Sequence, residues 1–454
     1  MGFRLVFLWS DALVYALLLG GACWMWLSLR REYWRVALRQ VAANRVAMLS
    51  LGVLSLYAVI GLLDTIHYRP VGPESPAGGN ITSLLDVIGR PLVERTETTY
   101  SAPFAAHSFS SQNVTRAGVQ VREYPRLTFA AAGLSDPERD APPDIRKRAL
   151  AGLGWGLGAG VLLFAAVGLG AAATERIRRR KAALCWMSGF LTVIAVLLAE
   201  AITLNANGGY HILGTDKTGQ DVFFIALKSV RTGLIIGTLT TLIVTPFAIL
   251  FGVVAGYFGG WVDDAIQYVY TTLSSIPDIL LIAAVMLILQ GWLASLPAAE
   301  QETVIAADYR LVALCIIMGI TSWTGLCRLI RAEVLKLREL EYVQAADAFG
   351  VSRARVMARH LVPNLMHIVL ISVVLRFSGL VLAEAVLAYV GIGVDPSMQS
   401  WGNMINQSRL ELARDPVVWW NLLAAFVFMV GLVLPANLFG DAVRDALDPR
   451  LRVQ

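Results

Sequence analysis

"EYVQAADAFGVSRARVMARHLVPNL", residues 341–365, decides how the second half of this chain is read. It is polar and sharply punctuated, yet it lies between two apolar runs. Leu335, Leu337, Leu340, Val343, Ala346 and Phe349 recur at roughly helical spacing, while Lys336, Arg338, Glu339, Glu341 and Asp347 hold polar positions. Gly350 stands where a helix ends in left-handed geometry, and Ser352 where the next begins. Arg353, Arg355 and Arg359 follow, and Pro363 closes that second helix or opens the next apolar run. The pattern predicts a compact helical hairpin at a membrane surface. On residue chemistry alone it could equally be a basic amphipathic loop lying on anionic lipid.

The surroundings make this a membrane protein. Of 454 residues, 56% are hydrophobic and 16% charged, and the mean hydropathy is +0.62. Lipid offers no partner to exposed backbone groups, so a crossing helix needs roughly 20 apolar residues. Nine stretches qualify: Phe7–Leu27, Ala43–Leu63, Gly152–Ala173, Ala182–Ile202, Gly233–Tyr257, Ala265–Leu289, Leu311–Leu329, His367–Val390 and Val417–Leu438. Met1–Trp26 reads as an uncleaved helix rather than a signal peptide, because Asp11 interrupts its apolar region and apolar sequence continues past Cys23. Cys23, Cys185, Cys315 and Cys327 all fall inside these stretches without C-x-x-C spacing, which argues against a disulfide framework or a zinc site. The net charge of +5 concentrates beside the spans and reads as topology, not as a nucleic-acid surface.

Positive residues mark the cytoplasmic side. Arg30, Arg31, Arg35, Arg39 and Arg45 follow the first span, Arg176, Arg178, Arg179, Arg180 and Lys181 the third, and Lys336, Arg338, Arg353, Arg355 and Arg359 the seventh. Nine crossings then place the N-terminus outside and the C-terminus in the cytoplasm. Arg146, Lys147 and Arg148, on the predicted outer side of the third span, run against this pattern. The resulting plan is an extra N-terminal helix with a basic cytoplasmic segment (1–42), a first span (43–63), an external loop or small cap (64–148), a membrane hairpin (149–204) and a core (205–454). Within the cap, "VQVREYPRLTFA" alternates enough to suggest a strand or two.

Residue order in the opening segment resembles the EAA loop of ATP-binding-cassette importer permeases. Gln344, Ala345 and Ala346 stand at its Glu-Ala-Ala, Gly350 at its glycine, His360 at its isoleucine and Val362-Pro363 at its Leu-Pro, with matching spacing throughout. Further stretches resemble the C-type permease subunit of the dipeptide, oligopeptide and nickel group: "HILGTDKTGQDVF" (211–223), "RTGLIIG" (231–237), "GVVAGYFGGWVDD" (252–264), "AEAVLAYVGIGV" (383–394), "SWGNM" (400–404) and "GDAVRDALDPRLR" (440–452). The resemblance implies an all-α polytopic protein, a type I importer core with additional N-terminal helices. It implies a coupling loop at 336–363, in which Glu341, Gln344, Ala345, Ala346, Gly350, Arg353 and Pro363 meet an ATPase subunit. It further implies a B-type permease partner, two ATPase subunits or domains that bring ATP and magnesium, and a periplasmic solute-binding protein. The location implied is the bacterial inner membrane, and the cargo is a di- or oligopeptide, with nickel or another small solute as the alternative.

Other chemistry is thin. Gly214 to Gly219 has the glycine spacing of a phosphate loop, but Gln220-Asp221 replaces the Lys-Ser/Thr that would meet phosphate and magnesium. The five histidines, His67, His107, His211, His360 and His367, show no paired ligand spacing, so neither a metal nor a cofactor is expected in this chain. Arg376 and Glu384 share the eighth span, where a charge must face protein or water; they line a pathway or form an intramembrane pair. An intramembrane enzyme and a structural scaffold are the readings from other classes.

Overall fold

A computed structural model describes residues 2–28, 30, 32–71, 81–116, 119–130, 134, 137–172, 196, 199, 203, 209–294 and 303–447. In chain order these form β1 (Gly2–Val6), α1 (Trp9–Ser28), α2 (Glu32–Ala43), α3 (Arg45–Thr65), β2 (His67–Val71), β3 (Thr82–Ser83), α4 (Leu84–Ile88), α5 (Arg90–Val93), β4 (Gln112–Arg116), β5 (Val119–Glu123) and α6 (Pro137–Ala172). Then come α7 (Val222–Phe258), α8 (Gly260–Ser274), α9 (Asp278–Ala294), α10 (Thr303–Thr321), α11 (Thr324–Leu337), α12 (Glu341–Ala348), α13 (Arg353–Val356), a π turn (Met357–Leu361), α14 (Val362–Tyr389), α15 (Trp401–Glu411) and α16 (Trp420–Leu447).

The protein is a helical, multi-pass membrane protein, and the described residues do not confirm the expected nine spans. Among the described residues, five helices are long and apolar enough to cross: Arg45–Thr65, Val222–Phe258, Val304–Leu337, Arg353–Tyr389 and Trp420–Leu447. A sixth arises if α8 and α9 count as one span. The single helix expected over Ala265–Leu289 is instead bent by 82° between them. Pro277, which offers no N–H to a continuing helix, sits at that break. At the N-terminus Gly2–Val6 is a strand, so the helix expected from Phe7 starts only at Trp9, and its apolar run, Trp9–Cys23, is shorter than the five spans. Gly152–Ala173 maps to the later part of the 36-residue α6, which is not among the five. Ala182–Ile202, the extra hairpin's second arm, lies outside the described residues apart from two positions.

The chain divides into two compact units. One comprises Met1–Phe7, Arg39–Thr232 and Gln399–Pro435; the other comprises Leu8–Leu38, Gly233–Met398 and Ala436–Gln454. In the first, β1 pairs antiparallel with β2 from Gly2↔Val71 to Val6↔His67, and β2 carries β3 on its other edge. Ser83 then caps α4 in a reciprocal capping box with Asp86, and its hydroxyl donates to Asp64 at 2.6 Å. The alternating stretch expected to hold strands contributes β5, paired with β4 from Gln112↔Glu123 to Arg116↔Val119.

The second unit holds two apolar clusters. Val244, Val253, Leu326, Ile330, Val334, Val343, Val356, Leu361 and Leu365 form one, which joins α7 and α11 to the opening segment. Ile235, Leu239, Met286, Leu311, Leu314, Met318 and Leu387 form the other, with Leu13 and Val14 of α1 packed against it.

Candidate functional site

The 341–365 segment is built as the sequence predicts at its front end. α12 buries Val343 and Ala346 and leaves Leu340, Glu341, Tyr342, Gln344 and Ala345 exposed. After it Gly350 takes φ +72, its N–H donates to the Asp347 carbonyl at 3.0 Å, and the Val351 N–H donates to the Ala346 carbonyl at 3.1 Å. That pair of bonds is a Schellman motif, which satisfies the carbonyls a helix end would otherwise strand. A side chain at Gly350 would meet nothing within 4 Å, so only its backbone angle asks for glycine. Beside it Phe349 is 87% exposed.

The back end differs from the expected hairpin. Ser352 precedes α13 but caps it with its carbonyl, which receives the Arg355 and Val356 N–H groups, and not with its hydroxyl. Helix then continues through the π turn into α14, and Arg353–Tyr389 forms one span. Pro363 therefore opens α14 within its first two residues and closes nothing. A proline inside a helix removes one bond and presses on the carbonyl four residues earlier, and a local π turn loosens the spacing there. Asn364 Nδ2 donates to the His360 carbonyl at 2.8 Å and to the Tyr342 hydroxyl at 2.9 Å, linking the start of α14 back to α12.

What holds this segment in place was not legible as a site. Three consecutive residues at the end of α7 grip both flanks of α12. The Gly256 carbonyl accepts from Arg338 Nη1 at 3.2 Å, the Tyr257 hydroxyl donates to Asp347 Oδ1 at 2.7 Å, and the Phe258 ring lies under the Arg353 guanidinium at 5.6 Å. One turn further Asp263 receives a two-pronged contact from Arg331, Nε to Oδ1 and Nη2 to Oδ2, each 2.5 Å. Gly256, Tyr257, Phe258 and Asp263 all lie in the family-like stretch 252–264; what they would meet is not visible there. Arg353 is exposed in this segment, as are Glu341, Gln344, Ala345, Gly350 and Pro363, while Ala346 is buried beneath them. Arg376 and Glu384 lie outside it, along α14, where Arg376 donates to the Ser322 carbonyl at 2.5 Å and Glu384 is buried.

A second constellation surrounds the glycine-rich stretch at 209–221. Its amides turn inward: Thr218 and Gln220 donate to Asp216 Oδ1 at 2.9 Å each, and Gly219 donates to the Asp216 carbonyl. Gly219 has φ +77, and a Cβ there would stand 1.8 Å from the Glu97 carbonyl oxygen. Glu97 in turn accepts the Thr128 and Phe129 amides at 2.8 and 2.9 Å. His211 sits between carboxylates, with Nδ1 2.8 Å from Asp221 Oδ2 and Nε2 3.9 Å from Glu97 Oε1. Burial opposes its charge, but Asp221 and Glu97 outweigh burial and hold the imidazolium up to about 9. Glu97, although also desolvated, is drawn down to about 2 by His211 and the two amides.

Thr215 ties in the rest. Its hydroxyl accepts the Ser101 N–H at 2.6 Å, and its carbonyl accepts the Trp420 indole N–H at 3.0 Å. One member of the basic run before the third predicted span, Arg148, also finds a partner here. Arg148 pairs with Asp144 at 2.8 Å, and Asp144 accepts the Tyr210 hydroxyl at 2.9 Å.

Comparison with known proteins converges on one family. Residues 248–453 match the family described as "Binding-protein-dependent transport system inner membrane component". The chain is 30% identical over 242 residues to the dipeptide transport system permease protein DppC of Bacillus subtilis (strain 168), covering 53% of this chain and 69% of that protein. It is 31% identical over 249 residues to the oligopeptide transport system permease protein OppC of Mycobacterium bovis, covering 55% and 79% respectively. Against the glutathione transport system permease protein GsiD of Pectobacterium atrosepticum the identity is 30% over 243 residues, covering 53% and 73%.

Proposed function

This chain belongs to the family of binding-protein-dependent transport system inner membrane components, and we propose that it is the permease subunit of an ATP-driven importer for di- and oligopeptides. Similarity to dipeptide, oligopeptide and glutathione permeases supports the cargo class. The observation that carries the coupling role is the surface of α12. Its base is locked to α7, while Leu340 and Tyr342, each 43% exposed, and Phe349 at 87% project away. A short helix rigidly seated on one side, with Glu341, Tyr342 and Gln344 exposed on the other and Phe349 just beyond its end, suits a partner that must push on it.

That partner is a separate ATPase, two copies of which hold ATP and magnesium. The inward-turned amides of the 214–219 loop support leaving hydrolysis to them, since a phosphate would find those donors engaged. A B-type permease supplies the other half of the pathway, and a solute-binding protein delivers the peptide. When ATP closes the ATPase pair, α12 moves with it and Arg353–Tyr389, one span, carries the displacement across the membrane. ATP thereby selects the outward-facing state. The N-terminus faces the periplasm with the 64–148 loop, a reading supported by the β1–β2 pairing, and the C-terminus faces the cytoplasm.

The test is copurification of the chain with its permease and ATPase partners, comparing the native sequence with Gly350→Glu. The expected outcome is intact pairing of the permeases, with loss of ATPase recovery or of turnover stimulated by the binding protein. Unchanged assembly and turnover would return the segment to a lipid-facing loop.

A further inference from the structure

Leu8 is a poor start for a helix. Its carbonyl accepts the Ala12 N–H at 3.0 Å, which makes it the cap of α1, but its side chain has no acceptor for the bare amides of the first turn. The acceptor comes from α10. Asp308 Oδ2 receives the Ser10 N–H at 3.1 Å and Oδ1 receives the Ser10 hydroxyl, so one buried carboxylate caps a helix about 300 residues away in sequence. The position also suits the partial positive charge at a helix N-terminus. The next residue, Tyr309, accepts the Trp9 indole N–H at 3.1 Å. Arg310, one further, donates to the carboxylate of Asp395.

Successive side chains on a helix point about 100° apart, so three in a row reach in different directions. Here they reach α1 and the loop that follows α14. That loop begins with a second Schellman motif: Gly391 has φ +86, its N–H donates to the Ala388 carbonyl, and the Ile392 N–H donates to the Leu387 carbonyl. Asp395 is fixed in its turn by accepting the Ser397 N–H at 2.9 Å and the Ser397 hydroxyl at 2.7 Å. Arg310 therefore holds the end of the same span that starts at Arg353 beside the coupling segment. The burial of α1 is confined to its start: Ser10 and Asp11 are buried, Leu13 and Val14 pack on the core, and Leu19, Met25 and Trp26 are exposed.

We propose that Asp308 is a positioning residue for transport: it pins the first turn of the added helix α1 to α10, and so braces the end of α10 from which Arg310 holds the loop after α14. Without that brace, motion arriving along α14 displaces α10 instead of opening the pathway. The inference rests on the transport reading above for its consequence, but not for the pinning itself.

The experiment uses the assembled complex, with spin labels on Leu19→Cys and Ile316→Cys in a chain whose native cysteines are alanine. Asp308→Ala is expected to broaden the α1–α10 distance distribution and to lower the peptide transported per ATP by about five- to tenfold. Asp308→Asn, whose amide oxygen still accepts the Ser10 N–H, is expected to keep a narrow distribution and a ratio within about twofold of native. Ser10→Pro attacks the contact from the other side, since it removes both donors in the first turn of α1, where no N–H is needed for a bond within the helix. It is expected to copy Asp308→Ala, and it is the variant to read should Asp308→Ala not assemble. A distribution as narrow as native in Ser10→Pro and Asp308→Ala would overturn the pinning, and a broadened one with native transport per ATP would overturn the bracing. A native complex that moves no peptide would sink the transport reading, and the distance distributions would still decide the pinning alone.

Discussion

Gly219 and Gly350 share a backbone conformation and little else. Both have φ near +75, at +77 and +72. Gly219 is buried against another segment: a Cβ would strike the Glu97 backbone, and His211, Thr215 and Asp221 of the same stretch are all buried. Around Gly350 there is open space, and the adjacent Phe349 is the most exposed large apolar residue of its segment. The first glycine permits a knot and the second permits a knuckle. A positive φ in a sequence motif says only that the chain turns; what surrounds it decides whether the turn is for holding the protein together or for presenting a surface.

Substitutions can break that contrast at four points. Gly219→Ala has the largest expected effect, about 4 kcal/mol or more, because a backbone collision is added to a strained φ. Thermal unfolding or limited proteolysis of the unit containing 64–148 reads it, and a native-like melt would show that Glu97 can retreat. His211→Ala comes next, at about 3 kcal/mol, since it leaves two carboxylates buried without the cation between them.

The native chain carries the corresponding pH signature. The His211 pKa is raised in the fold to about 9, so its contribution is complete below the unfolded value near 6.5 and fades as pH rises through about 9. Glu97 is lowered to about 2, so its contribution is complete above about 4.5 and fades as pH falls through about 2. The unit is thus expected to be firmest between roughly pH 4.5 and 6.5. His211→Ala should flatten the alkaline limb and also shrink the acid one, because His211 helps to hold Glu97 down; an unchanged alkaline limb would remove His211 from the account.

Gly350→Ala should cost only about 1 to 2 kcal/mol, the penalty of left-handed backbone without any collision. Urea unfolding of the purified chain measures it, and a cost equal to that at Gly219 would erase the distinction. Phe349→Ala is the smallest, within about 0.5 kcal/mol, because an exposed side chain leaves nothing unfilled. Its effect is expected in ATPase stimulation instead. A large stability loss with normal stimulation would make the knuckle part of the core.

The sequence exposed what is local and hid what is distant. Val343 and Ala346 face inward as their spacing required, and Gly350 ends its helix as its position required. Of the two places open to Pro363, the structure takes the start of the next span, and the adjacent π turn absorbs the proline without ending the helix. The bend at Pro277 is hidden in the sequence because apolar residues on both sides make one hydropathy peak. His211 has no paired ligand spacing in the sequence; its partners, Asp221 and Glu97, come from nearby and from far upstream. Asp308 gave no signal at all, since a helix normally takes its cap from its own preceding residue.

The bond from the Trp420 indole to the Thr215 carbonyl spans 205 residues of chain. A ribosome making this protein delivers Thr215 long before Trp420, so the knot around Gly219 stays incomplete until the last apolar helix has emerged. Loop closures of that length are slow and entropically costly. A chain that stalls before residue 420 therefore lacks a fastener, which leaves the knot around Gly219 in unfinished copies more open to proteolysis.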